Sequence, residues 1–319
     1  MSIREMRPKI AVIGSGRVGT SAALHIGMRE LGDVVLVDIV QGLPQGEALD
    51  LNHMAAILGL DVEFTGTNDY RDIEGSEVVV VTAGFVRRAD MTRMDLLVKN
   101  SGIVRDVSLR IKEHAPNSKV IVVTNPLDVM TYVALKTTGF ERERVMGFSG
   151  LLDVGRYKTL IAKELGVSWR SIEAPILGEH GDSMVLLPRH TMVGGRPLTS
   201  LLSREKIEEI VRATREMGAR IISLKGWSAH HAPGAGAALM VDAIVRDRNA
   251  VMPVSFYHMG EYGFEGVCSV VPAVIGRTGV KKVIELELSA EEREALVKSV
   301  EKVRQAQEEV DRLLASQAS

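Results

Sequence analysis

The sequence predicts an α/β fold, a doubly wound parallel sheet followed by an α+β half. Three observations carry this. Short, continuously apolar runs alternate with helical segments through the first 147 residues. Their apolar character is continuous rather than alternating, as in strands covered on both faces. Past Phe148 the rhythm changes to shorter, more polar strand candidates set among long helices.

In chain order the strand candidates are KIAVIG from Lys9, VVLVD, VVVVTAG and KVIVVTN. Between them Ser21 to Glu30, Pro44 to Ile57, Thr92 to Ala115 and Leu127 to Thr138 have helical period, the third stopped by Pro116. The second half opens with a helix from Leu151 to Leu165, then strand candidates at Glu173 to Leu177 and Met184 to Met192. Helices from Ser203 to Leu224 and Gly234 to Asp247 precede the strand-like SVVPAVIG. Ser289 and Glu292 form a capping box, and Leu296, Val300, Val303, Val310 and Leu314 make one apolar stripe on a closing helix. The boundary is placed between residues 148 and 149, giving units 1–148 and 149–319 that pack closely, since no polar linker or repeat intervenes.

A chain of 319 residues exceeds the usual single-domain size, and either half is long enough to bury a core. The formal net charge of −2 gives no global reason to bind nucleic acid or an anionic membrane. Cys268 is the only cysteine, so an intramolecular disulfide and a cysteine-built zinc site are excluded; no metal is expected, and a reducing cytoplasm fits. The amino terminus holds an apolar run too short for a signal-peptide core, and no stretch approaches a membrane span.

Gly14-Ser15-Gly16-Arg17-Val18-Gly19 directly follows the first strand and opens a helix. The first glycine permits a tight turn, the second lets backbone approach a pyrophosphate, and the third lets helix and strand pack closely. Phosphate then meets unsatisfied N–H groups at the positive end of a helix. This is the Rossmann arrangement. Asp38 ends the second strand, placed to accept hydrogen bonds from an adenosine ribose and to repel a 2′-phosphate, so NAD is preferred over NADP.

In Gly178-Glu179-His180-Gly181-Asp182-Ser183, a histidine among small residues at a strand end is accessible and suited to proton transfer near neutral pH. Asp153 and Asp182 are equal candidates for the carboxylate beside it. The loop TAGFVRRADMTRMD places Arg87, Arg88 and Arg93 after a buried strand. Taken alone, that charge is as consistent with a solvated loop as with a site.

Together GSGRVG, TAGFVRRADMTRMD, VTNPLD, LLDVGR, GEHGDS and WSAHHAPGAG resemble, in order and spacing, the lactate/malate dehydrogenases, and within them the malate enzymes of lactate-dehydrogenase-like type. The resemblance covers essentially the whole chain. It implies a Rossmann domain followed by an α+β substrate domain, with NAD and a small dicarboxylic 2-hydroxy or 2-oxo acid at their junction. His180 is implied as general acid/base, oriented by Asp153. Arg156 matches the residue that grips the C1 carboxylate, Arg93 the loop arginine on the reacting carbonyl, and Asn125 a residue near the reacting oxygen and the nicotinamide. Ser228 falls on a pocket wall, where the His230-His231 pair departs from the expected tyrosines. Cofactor contacts are implied at Gly14, Ser15, Gly16, Arg17, Val18, Gly19, Asp38, Thr82, Ala83, Gly84, Asn100, Val123 and Asn125.

Arg87 matches the specificity position, neutral in lactate enzymes and arginine in malate enzymes. Desolvated against a methyl group, an unpaired guanidinium costs several kcal/mol, and about 1.4 kcal/mol suffices for tenfold discrimination. Arg88 is read as solvated or as a steering charge; Phe85 and Met91 shield the pocket or anchor the loop. A homo-oligomer is implied, a tetramer favoured over a dimer. The alternatives are a lactate or broader 2-hydroxyacid dehydrogenase, a non-enzymatic NAD-sensing protein and, more remotely, a metal-dependent glycosidase.

Overall fold

The computed structural model describes residues 7–85 and 93–316, with the backbone alone at 93 and 316. The first half supplies β1 (Lys9–Ile13), α1 (Arg17–Gly27), β2 (Asp33–Val37), α2 (Leu43–Leu58), β3 (Phe64–Thr67), β4 (Val78–Val81), α3 (Arg93–His114), β5 (Lys119–Val122), α4 (Leu127–Thr138) and β6 (Val145–Phe148). All strand pairs in the order β3-β2-β1-β4-β5-β6 are parallel. The apolar runs are buried on both faces: all four valines of β4 are inaccessible, as are Ile10, Ala11 and Val12 of β1. Strand order reverses between β1 and β4, which opens a crevice at their carboxyl ends.

The second half contains α5 (Gly150–Leu165), the short strands β7 (Ile172–Glu173), β8 (Ile176–Leu177), β9 (Val185–Leu186), β10 (Met192–Val193) and β11 (Arg196–Pro197), then α6 (Arg204–Lys225), α7 (His231–Val245), β12 (Ala250–Met259), β13 (Glu265–Gly276), β14 (Gly279–Val283) and α8 (Ala290–Ser316). The sheet continues past residue 148. Antiparallel pairing of Val254 with Phe148 and Ser255 with Gly147 joins β12 to β6, and β13 and β14 extend the sheet to nine strands. One hydrophobic core therefore runs from β1 and β4 to Val254, Phe256 and Val271, and α7 packs along α1. A second, smaller core lies between α5 and α6, around Tyr157, Ile161, Ile207 and Ile210.

Several elements differ from their sequence expectation. Helix α1 begins four residues before Ser21, because the glycine turn feeds straight into it. The expected strands over 173–177 and 184–192 are broken into two-residue pieces. Strand β12 was not expected at all: Pro253 interrupts its pattern, yet it sits opposite Pro272, and pairing with β6 involves only the next two residues. Leu127–Thr138 is a helix with the expected bounds. The Ser289 capping box closes with Ser289 N–H to Glu292 at 2.8 Å and Glu292 N–H to the Ser289 hydroxyl at 3.2 Å. Leu296, Val300, Val303 and Val310 are buried beneath α8, with Leu314 packed at the edge of the core. Among the described residues no helix is long and apolar enough to cross a membrane.

His258 on β12 is buried, with Nε2 2.7 Å from the Ser269 hydroxyl and, among the described residues, no partner for Nδ1. Burial pushes its pKa down to about 4. Unfolding therefore takes up a proton between the unfolded value near 6.5 and about 4, and stability falls as pH drops through that window. The full effect is at most about 3 kcal/mol below pH 4. Urea titrations at pH 7, 6, 5 and 4 are expected to show a shallower acid loss for His258→Gln than for the parent; parallel losses would contradict the assignment.

Candidate functional site

The turn after β1 is set by steric limits. Gly14 adopts φ +101°, and a Cβ on Gly19 would lie 1.8 Å from the Gly14 carbonyl oxygen, so the helix start can approach the strand only without a side chain. At Gly16, by contrast, an added Cβ would meet nothing within 4 Å, which leaves open space beside the first helical N–H groups. A cavity of about 610 Å³ begins there and follows the carboxyl ends of β1, β2 and β4. Gly14, Gly16, Arg17, Val18, Gly19, Asp38, Thr82, Ala83 and Gly84 line it. The Asp38 carboxylate accepts the Ser15 N–H at 2.7 Å and the Val40 N–H at 2.9 Å, holding it at the turn's edge. An open glycine cradle at a helix start, an acidic group at the end of β2 and an apolar far wall fit a dinucleotide.

Ser15, Asn100, Val123 and Asn125 stand outside the cavity lining. Buried Asn100 accepts the Phe85 N–H at 2.7 Å and donates to the Asn125 carbonyl at 2.6 Å, tying the loop after β4 to the loop after β5. Val123 continues the β5 ladder through its N–H to Val81. Asn125 is exposed on the loop before α4. Phe85 lines the cavity, with the Lys99 ammonium 5.1 Å from its ring centre. Arg87, Arg88 and Met91 lie outside the described residues; Arg93 opens α3, and only its backbone is described.

The second cluster forms where α5 meets the β8–β9 hairpin, whose connection carries GEHGDS. Gly178 exchanges two backbone hydrogen bonds with Val270 of β13, which fixes the hairpin to the main sheet. His180 Nδ1 lies 2.6 Å from Asp153 Oδ2, while Arg156 Nη1 donates to Asp153 Oδ1 at 3.0 Å. Asp153 is 0% exposed; His180 and Arg156 are each 14% exposed. The spacing Asp153 to Arg156 puts both on one face of α5. Asp182, the equal candidate from spacing, is exposed and lines a groove against α6 instead.

Burial drives the His180 pKa down, but the charge and hydrogen bond of Asp153, with the charge of Asp128, outweigh it, so the imidazole stands above its usual value. With Nδ1 held by a carboxylate, Nε2 is the nitrogen left for proton transfer. Ser228 is exposed and lines the cavity together with Trp227 and His230, so the WSAHH loop forms part of its wall. The His230 and His231 rings lie 3.9 Å apart, and burial, then the charges of His231 and Lys225, lower the His230 pKa.

Several contributors escaped the sequence reading. Ile103, Asp106, Val107 and Arg110 line the cavity from one face of α3, a spacing visible in the sequence once that face is known to be covered. The Arg17 guanidinium stacks 4.1 Å from the Trp227 ring centre, joining the glycine turn to the opposite wall. Asp128 accepts the His180 N–H at 2.8 Å. Lys302 and Ser299 of α8 hold Glu179: the ammonium reaches its carboxylate at 2.7 Å, and the hydroxyl accepts its N–H at 2.8 Å. Nothing local marks residues 120 positions away as supports of the histidine loop.

Two family models match the chain: the lactate/malate dehydrogenase NAD binding domain over residues 8–147, and the lactate/malate dehydrogenase alpha/beta C-terminal domain over residues 151–313. A malate dehydrogenase of Pyrobaculum islandicum is 52% identical over 296 residues, 92% of this chain and 96% of that protein. The solved malate dehydrogenase of Picrophilus torridus superposes with a TM-score of 0.95 at 42% identity, covering 98% of this chain and 99% of that one. Malate dehydrogenase of Plasmodium falciparum in complex with NADH gives 0.90 at 36% identity, over 96% and 99% of the two chains. By both domain matches and by identity over nearly its whole length, the chain belongs to the lactate/malate dehydrogenase family.

Proposed function

We propose that the chain oxidises malate reversibly to oxaloacetate as an NAD-dependent malate dehydrogenase. The observation that carries the reading is the 2.6 Å contact between His180 and the wholly buried Asp153, in a chain whose glycine turn opens a cavity that fits a dinucleotide. The curated relatives of about half identity are malate dehydrogenases, in agreement with it. Bound NAD supplies the hydride acceptor, at the nicotinamide ring.

The chain's own residues do the rest. Neutral His180 takes the hydroxyl proton of malate on Nε2, and Asp153 stabilises the imidazolium so formed. In the reverse direction protonated His180 returns the proton to the oxygen of oxaloacetate. Arg156 holds the C1 carboxylate with paired N–H donors, Arg87 meets the distal carboxylate, and Arg93 and Asn125 address the reacting oxygen. Ser228 closes the wall, and Asp38 takes the ribose hydroxyls. Unit 1–148 supplies the cofactor side together with Arg87, Arg93 and Asn125, and unit 149–319 supplies His180, Asp153, Arg156 and Ser228, although the sheet is continuous between them.

The raised His180 pKa has a direction. Reduction needs the protonated ring, so it fails as pH climbs through that raised value; oxidation needs the neutral ring and gains over the same window.

We also propose a homo-oligomer, a tetramer or a dimer, in a cytoplasmic setting. Leu49, His53, Ala56 and Ile57 share an exposed face of α2, and Ile57 is 83% exposed, which suits burial against a second copy. Sedimentation equilibrium is expected to give a multiple of 34.7 kDa that falls on Ile57→Lys; a monomeric parent would sink this part.

A spectrophotometric panel of oxaloacetate, pyruvate and 2-oxoisocaproate, each with NADH and NADPH, tests the activity. Oxaloacetate with NADH should give the highest kcat/KM, and Arg87→Gln should move the oxaloacetate to pyruvate ratio toward pyruvate by at least about tenfold. Faster pyruvate turnover in the parent, or an unchanged ratio in the variant, would reject the selector role.

A further inference from the structure

Arg156 and Asp128 bear on His180 besides Asp153, and Glu179 precedes it in the chain; the three differ in whether they are compensated. Arg156 neutralises much of the Asp153 charge through the 3.0 Å bond between them, and its own charge opposes protonation of the ring. Glu179, next to His180 in the hairpin loop, is paired with Lys302 of α8 at 2.7 Å and also takes the Ser183 hydroxyl. Asp128, in the first turn of α4, has no cationic partner among the described residues. It is 3% exposed; Oδ2 accepts the His180 backbone N–H at 2.8 Å, and among the described residues Oδ1 has no hydrogen-bond partner of ordinary geometry. The neighbouring Ser255 hydroxyl of β12 is likewise buried and, among the described residues, without a partner of ordinary geometry.

A carboxylate so placed is costly unless something nearby benefits from it. The group that benefits is the imidazolium. We propose that Asp128 is a positioning residue for proton transfer: it fixes the His180 backbone and supplies the uncompensated negative charge that supports the protonated ring after Arg156 has offset Asp153. The inference rests on the reading of His180 as acid and base.

The local energetics agree in sign. Burial raises the Asp128 carboxyl to about 6, held from rising further by the Ser255 hydroxyl and by the N–H and charge of His180, so it is mostly ionised at neutral pH. The positive end of α4 favours the same ionised form. Asp128 and His180 then titrate as a coupled pair, each holding the other in its charged state.

The test is a titration of ¹³C-labelled histidine by NMR in the full chain, with the His180 resonance assigned by its absence in His180→Asn. Asp128→Asn keeps an oxygen that can accept the His180 N–H but removes the charge. The His180 pKa should then fall by about half a unit or more. The alkaline limb of oxaloacetate reduction should move down with it, an approximately threefold loss on that limb, while NADH binding followed by fluorescence stays unchanged. Ser255→Ala leaves Asp128 in place but removes a hydroxyl that favours its ionised form. It should shift His180 in the same direction by less, and it decides the matter should Asp128→Asn not fold. A His180 titration that neither variant moves overturns the proposal. Because the titration needs no turnover, its failure is separate from failure of the proposed activity, which would show as an inactive parent protein.

Discussion

The site is organised around one buried carboxylate. Asp153 is withdrawn from water and divides its two oxygens between an imidazole and a guanidinium. Withdrawing such a group costs several kcal/mol unless charged hydrogen bonds satisfy both oxygens, and here each oxygen has one. That requirement constrains much around it. The ring must present Nδ1 to α5 and turn Nε2 away from that contact, and Arg156 must approach from the next turn of the same helix.

The continuous sheet makes such precision attainable. His180 sits on a hairpin too short to be rigid by itself, with two residues on each side. Its rigidity is borrowed: Gly178 is bonded to β13, Glu179 to α8, and His180 itself to the start of α4. Since β13 and α4 belong to the same core as β1 and β4, the His180 loop and the crevice beside the glycine turn share one scaffold. A substrate domain tethered only by a linker would not hold donor and acceptor atoms in the near-contact geometry that hydride and proton transfer require.

What could be read from sequence follows how local each determinant is. The valines of β4, the bounds of α4, the glycine turn and the Ser289 capping box are decided by neighbours within a few residues, and all were legible. Strand β12 was not, because Pro253 contradicts a strand pattern until Pro272 and β6 are in place. Choosing between Asp153 and Asp182 from spacing was impossible: the nearer residue in sequence lines a different surface, and the pairing spans 27 positions. The resemblance supplied the choice that local chemistry could not. Asp128 hid in plain view, since an acidic residue in a first helical turn needs no partner beyond the helix itself.

The central claim is that the Asp153 charge, delivered through Nδ1, makes His180 a competent acid. Asp153→Asn isolates it, since the amide preserves size and removes charge. Measured across pH, kcat/KM for oxaloacetate reduction should drop by about a hundredfold or more, with its alkaline limb displaced to lower pH and NADH affinity retained. A variant whose pH profile and rate match the parent's would contradict the account.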